Sequence, residues 1–374
     1  MKDTITIIGA GIGGLVTALT LKQQGYPVHI YEGATEIKPI GAGIIMANNA
    51  MQVFQSLGIH EQVAQAGNRI STMKITDAQL NNLSVVDLSS FEQQYGVANT
   101  AIHRGVLQQL LLEAVGMEHI SLGKRLVKIE KKGNYQLHFE DGAVTSTRWL
   151  IGADGINSVV RKLLFPASKL RDAAQLCWRG VSEMELPDDY QHELNEAWGR
   201  GKRFGFVKLS ANKVYWYALV NQHAKDKNLQ RSFHDFHPDV QAIIAAGINT
   251  PIFTSDIVDL KPIDHWQQEQ VCLVGDAAHA TTPNLGQGAC QAIEDAYILG
   301  RLLAKGEAIQ VAFQQYEQLR KPKALQIVNS SRAIGRIAHV DNRFGVWLRN
   351  AIMRATPSYA NKKQLDKVFK LQLD

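Results

Sequence analysis

Cysteine is scarce in this sequence. Three occur among 374 residues, Cys177, Cys272 and Cys290, an odd number at wide spacing that matches no zinc or redox motif. A disulfide framework is thereby excluded, and the three read as buried thiols of a cytoplasmic protein. No run of roughly 18 or more apolar residues occurs, which argues against a membrane-spanning helix and stable membrane insertion. The start carries no basic segment followed by a long apolar one, so no secretory leader is expected. Excess charge of one sign is also missing: 40 Lys and Arg face 35 Asp and Glu, for a net charge of +5. Basic pairs such as Lys124-Arg125, Lys131-Lys132 and Lys362-Lys363 are dispersed. Nucleic-acid binders concentrate such charge on one face, so that class is excluded, while a mild positive field suits an anionic substrate or cofactor. Serine or cysteine triad signatures, internal repeats and low-complexity tracts are absent. His234 and His237 have no third ligand nearby and read as a surface turn.

What remains is ordinary globular composition, 45% hydrophobic and 20% charged, long enough for two domains or one elaborate one. The first residues read as a βαβ unit. Ile5–Ile8 forms a buried strand, and Ile12, Leu15, Val16 and Leu19 sit at helical spacing. Gly25 ends that helix, and Val28–Glu32 forms the next strand. Between strand and helix lies Gly9-Ala10-Gly11-Ile12-Gly13-Gly14, a G-x-G-x-x-G in the context its mechanism demands. Gly9 allows a tight turn, Gly11 lets the backbone approach a pyrophosphate, and Gly14 allows close helix–strand packing. Glu32 ends the second strand, placed to bind ribose hydroxyls. This fingerprint alone does not say which dinucleotide binds.

Three later strings bear on that question. Leu150-Ile151-Gly152-Ala153-Asp154-Gly155 runs on to Arg161; by itself it is a strand ending in an Asp-Gly turn before a helix. Val274-Gly275-Asp276-Ala277-Ala278-His279, continuing to Pro283, puts an acid at the carboxyl end of a buried strand, where open α/β sheets hold ligands. Asp276 could equally cap the next segment; His279 reads as structural. Asn284-Leu285-Gly286-Gln287-Gly288-Ala289 bares backbone N–H groups at a helix start, which suits negative charge, although glycines there also permit close packing. Gln291 breaks any second full G-x-G-x-x-G, which a reductase with a separate nicotinamide domain would show.

Together these strings resemble the class A flavoprotein monooxygenases, the p-hydroxybenzoate hydroxylase-like family, over nearly the whole chain. The resemblance is greatest to the branch with urate- and salicylate-hydroxylase-like members. It implies FAD as cofactor. Asp154 and Arg161 would help hold the pyrophosphate and the passing nicotinamide, and Asp276 would bind the ribityl chain. Pro283, Gly286 and Gly288 would lie beside the flavin ring. Gly43, in Gly41-Ala42-Gly43-Ile44 before Asn48-Asn49, would belong to a loop wrapping the ring, and Arg104 would contact FAD; alone, Arg104 reads as a surface residue. The family likeness also implies NADPH or NADH as transient reductant and hydroxylation of a small planar ring by O2 through a flavin C4a-hydroperoxide. Arg203 and Tyr215 match substrate-contacting positions. Arg203 shares a strand face with Gly205, and Tyr215 with Tyr217, so a guanidinium fork and a phenol could orient a planar anionic ring, or simply form a polar sheet face. Met46, Trp178 and Phe206 read as pocket lining or plain core.

The expected fold is mixed α/β. A Rossmann-like FAD-binding domain draws on residues 1–70, 101–168 and 269–328. An antiparallel-sheet substrate domain draws on 71–100 and 169–268, and helices follow from 329 to 374. The expected partners are the small-molecule substrate and O2, in a monomer or homodimer. Two other readings stay open: a same-fold FAD oxidoreductase that does not oxygenate, such as a reductase or halogenase, and a non-catalytic dinucleotide-binding protein.

Overall fold

A computed structural model describes residues 2–38, 41–224 and 227–371. Strands from remote parts of the sequence meet in one six-stranded sheet. Ile5–Ile8 pairs in parallel with Val28–Tyr31 on one side and Trp149–Gly152 on the other. Val271–Leu273 joins parallel to Trp149–Gly152, and Ile120–Ser121 and Gln267–Gln268 form the two edges. Ile5, Ile7, Leu150, Ile151, Val271 and Leu273 are fully buried. Helices cover both faces of such a sheet, which is why its strands read as continuous apolar runs.

A second sheet has seven strands, ordered Phe253–Leu260, Leu170–Glu183, Lys213–Asn221, Lys202–Ser210, Glu193–Trp198, Thr72–Asp77 and Asn82–Asp87. It departs from the expected antiparallel pattern at one point: Glu193–Trp198 runs parallel to Thr72–Asp77. Parallel neighbours need a long crossover, and the chain between 77 and 193 supplies it. Alternation then divides the sheet. Phe204, Phe206, Val214, Trp216, Ala218 and Trp178 face a core closed by helices Leu229–Ser232 and Pro238–Ala246. Trp178 and Phe206 are therefore core residues, and fully buried Met46 belongs to the main core. On the opposite face, ladder partners place Arg179 beside Tyr217, Tyr217 beside Gly205, and Gly205 beside Glu196.

The tail continues the body of the molecule. A single helix, Ile309–Ala338, runs through position 328, where the sequence places the start of a separate tail. Arg343–Ala355 and Ser358–Phe369 follow, the latter anchored by an edge-on contact of Phe369 with Phe91, centroids 5.0 Å apart. Just past the long helix, His339 is buried, with Nδ1 donating to Asn221 Oδ1 at 2.9 Å. Burial, reinforced by nearby Arg203 and Arg349, pushes its pKa down to about 3. An unfolded chain binds this proton below about pH 6.5 while the folded one refuses it, so stability must fall on acidification through that window. Between pH 7.5 and 5 the loss from this group is about 2 kcal/mol. Urea unfolding of His339→Gln across that range should show a correspondingly shallower pH slope than wild type; equal slopes would refute the assignment.

Candidate active site

The fingerprint is a cradle with one open position. Gly9 has φ +104°, and a Cβ there would lie 2.6 Å from the Ala153 carbonyl oxygen. A Cβ on Gly14 would stand 2.0 Å from the Gly9 oxygen. Around Gly11, by contrast, no atom lies within 4 Å of where a side chain would begin, and helix Ile12–Gln23 starts there with no side-chain cap. Uncapped amides at an open helix N-terminus suit a diphosphate. Glu32 ties the turn to the second strand: one carboxylate oxygen accepts from the Ala10 amide at 2.7 Å, the other from Ala34 at 2.8 Å. Each oxygen keeps a lone pair for a ribose hydroxyl.

Asp154 and Arg161 turn mainly toward protein. Asp154 accepts from Ser158 Oγ at 2.5 Å and from the Val159 and Val160 amides at 2.6 and 3.1 Å, capping helix Val159–Leu164. Burial raises its pKa against those three bonds. Arg161 is buried and donates to the carbonyls of Ala277 at 3.0 Å, Asp276 at 3.4 Å and Ile156. The guanidinium thus bolts the first flavin-side string to the second. Arg161 Nε, also buried, has no partner among the described residues.

Asp276 is exposed to solvent although protein crowds around it, as befits a group in the wall of a cleft. Its carboxylate accepts no hydrogen bond among the described residues. Crowding raises its pKa, while His279 and Arg104 draw it back. Its Oδ1 lies 3.8 Å from where a Cβ on Gly288 would be, so the acid meets the start of helix Gly288–Ala304. Pro283 and Gly286 are exposed just before that start, and Gly286 adopts φ +62°. Arg104, also exposed, opens helix Arg104–Val115 and is close enough to act electrostatically on both Asp276 and Tyr215. These residues fit FAD: open amides for the diphosphate, an unpartnered carboxylate for the ribityl hydroxyls, and an amide-rich helix start for the electron-rich edge of the ring.

The polar face of the second sheet adjoins this cleft. Gly43 permits the junction, since a Cβ there would fall 2.3 Å from Tyr215 Cγ. Its place in the structure is thus under the Tyr215 ring. Tyr215 is buried, and burial raises its phenol pKa, with Arg179 and Arg104 opposing. Tyr217 donates to Glu196 Oε2, and its ring lies 5.8 Å from that of Tyr215. Arg203 is buried as well. Its fork reaches Glu196 Oε1 at 3.0 Å and Asn284 Oδ1, while Nε finds no partner. Through Asn284, Arg203 joins the substrate-side sheet to the loop beside Pro283. Arg179 stands on the same face, near Cys177 and Tyr215, and in no ion pair with a carboxylate among the described residues. No local motif marks Arg179; only strand alternation in Cys177-Trp178-Arg179 hints at it.

A family model for an FAD-binding domain matches residues 2–331. The chain belongs to the class A flavoprotein monooxygenases. It is 34% identical to aurachin C monooxygenase/isomerase of Stigmatella aurantiaca, covering 95% of this chain and 94% of that protein. It is 32% identical to 2-heptyl-3-hydroxy-4(1H)-quinolone synthase of Pseudomonas aeruginosa, covering 98% and 97%. Its structure superposes on Klebsiella pneumoniae HpxO complexed with FAD and uric acid with a TM-score of 0.90, at 28% identity over 98% and 96% of the two chains. This monooxygenase is an FAD enzyme, with NADPH or NADH the reductant usual for its family.

In this monooxygenase helix Gly288–Ala304 rests on a buried ionic network. Arg320 donates to Asp295 at 2.8 Å, to Glu294 at 2.6 Å and to the Gln291 side chain at 2.7 Å. Lys323 reaches both oxygens of Glu294, at 2.7 and 2.9 Å. His279 meets Asp295 Oδ2 at 2.5 Å, and the same oxygen accepts from the Gly275 amide at 2.9 Å. Asp295 therefore holds the turn that presents Asp276, and His279 is structural, as its sequence position suggested. The acidic pair Glu294-Asp295 is visible in the sequence; its cationic partners Arg320 and Lys323, on another helix, are not.

Proposed function

We propose that this monooxygenase hydroxylates a ring carbon of a planar nitrogen heterocycle carrying a carbonyl or hydroxyl oxygen, of quinolone or purine type, with NADPH or NADH and O2. The observation that carries this reading is Arg179, a cation on the cleft-side sheet face with no carboxylate among the described residues to neutralise it. Arg203 already has Glu196, so Arg179 is the group left to meet negative charge on a substrate oxygen. Tyr215, held protonated by its surroundings, can donate to such an oxygen. Two similar proteins support the class. One is named for a 3-hydroxy-4(1H)-quinolone product, the other was crystallised with uric acid, and both compounds are planar nitrogen heterocycles with carbonyl oxygens on the ring. As the sequence predicts, Arg203 and Tyr215 would orient the ring, with Arg203 acting from its pairing with Glu196 and Asn284.

The test is a panel of 2-alkyl-4(1H)-quinolones, urate and hydroxylated pyridines, scored by NAD(P)H consumption under air and by product mass. At least one member should stimulate consumption and yield a product heavier by one oxygen atom. With that substrate, Arg179→Met should raise KM about tenfold or more, the worth of one charge-assisted hydrogen bond, and leave the bound flavin spectrum unchanged. Consumption that releases only peroxide with every member of the panel would overturn the reading.

A further inference from the structure

We propose that helix Arg343–Ala355 docks this enzyme on the surface of an anionic lipid bilayer. A surface helix ordinarily buries its apolar stripe and exposes its charges. This one leaves its apolar stripe in solvent and buries an arginine instead. Its one buried residue is Arg349, whose guanidinium donates to the carbonyls of Ala338 at 2.9 Å, Gly199 at 3.3 Å and Trp198 at 3.3 Å, and lies 5.4 Å from the Trp198 ring. Anchoring the helix by its arginine turns the opposite side outward. There Phe344, Trp347, Leu348 and Ile352 are 70%, 63%, 41% and 58% exposed, at the i, i+3, i+4, i+8 spacing of a single helix face.

Charge selects the occupant. No acidic residue occurs between Asp341 and Asp366, while Arg343, Arg349, Arg354, Lys362 and Lys363 fall in that interval. All but Arg349 are exposed, although Arg354 also reaches Asp77 at 3.3 Å. Exposed aromatic and aliphatic side chains flanked by cations, on a helix too short and polar to cross a bilayer, are the pattern of an interfacial anchor. A second copy of the chain fits less well. The stripe offers on the order of 500 Å² of apolar surface, large for a monomer, so its charge and not its area decides between lipid and a second copy. Two cationic faces would repel. The helix is seated beside the substrate sheet: Gly201 N donates to Val340 O at 3.0 Å and Arg200 Nε to Asp341 O at 3.0 Å, at the turn leading into the strand of Arg203. The inference stands apart from the choice of substrate.

The protein carries its own reporter. Of its six tryptophans, Trp347 is exposed and Trp149, Trp178, Trp198, Trp216 and Trp266 are buried. The FAD-loaded full chain should co-sediment with vesicles of mixed phosphatidylglycerol and phosphatidylcholine, and less as salt is raised. Its tryptophan emission should shift to the blue and become shielded from iodide. Phe344→Ser with Ile352→Ser, which keeps Trp347 and touches no flavin-side residue, should lower the partition coefficient at least tenfold with the flavin spectrum unchanged. Absence of vesicle binding, or equal binding to purely phosphatidylcholine vesicles, overturns the proposal. So does shielding of Trp347 that depends on protein concentration without lipid, since that identifies a dimer.

Discussion

Gly14→Ala should purify almost colourless, with FAD affinity lowered about 100-fold, the cost typical of displacing a positioning element by an ångström. The added Cβ would stand 2.0 Å from the Gly9 oxygen and 3.3 Å from the Ala153 Cβ, so either the helix withdraws or the turn opens. Both movements carry the diphosphate-binding amides away from their places. Gly11→Ala separates cofactor approach from packing, because its Cβ meets no protein atom within 4 Å. That variant should unfold at the wild-type temperature and still bind FAD weakly, whereas Gly14→Ala should lose thermal stability as well. Titration of apoprotein with FAD, followed by flavin fluorescence, measures both. Wild-type affinity in Gly11→Ala would mean that no diphosphate approaches the turn there.

Arg320→Met should cost about 3–5 kcal/mol of folding free energy, the range for removing one partner from a buried ionic group. Glu294, Asp295 and Arg320 have fully buried side chains. Burial by itself would raise the Asp295 pKa, but His279 and Arg320 outweigh it and hold the group at about 2. A carboxyl depressed in this way stabilises the fold above its unfolded pKa, and that contribution disappears as pH falls toward about 2. Without the guanidinium the carboxyl rises, so the variant is penalised most near neutrality and the gap to wild type narrows on acidification. Adding Asp295→Asn to Arg320→Met should recover part of the loss, since the uncompensated charge is then gone. Urea unfolding at pH 7.5 and 5 tests this. A loss under about 1 kcal/mol, the worth of an ordinary exposed pair, would mean that the network is hydrated. FAD retention should decline in parallel, because Asp295 Oδ2 holds the Gly275 amide one residue from Asp276.

The parts of the site legible in the sequence are those encoded by local spacing. Gly9, Gly11, Gly14 and Glu32 fall within one βαβ unit, and that unit forms as its hydrophobic period requires. The strand before Asp276 is legible for the same reason. Asp154 carried two readings, cofactor ligand and turn residue, and in the fold it is a helix cap. Its neighbour Arg161 resembles a pyrophosphate ligand, yet its two terminal nitrogens donate to backbone carbonyls and only Nε is left without a partner, because a cation buried beneath two converging loops takes the nearest oxygens.

From the order of its residues alone, this chain determined a dinucleotide cradle, a flavin-side glycine loop and the alternation of its substrate-side strands, because each depends on periods of two to four residues. Which face of the second sheet meets the cleft, which carboxylate neutralises Arg203, why Arg179 is left over, and why Arg349 points inward while Trp347 points out were decided only by tertiary packing. Each depends on neighbours dozens to hundreds of positions away, and the burial of charge that discriminates among partners does not exist until those segments meet.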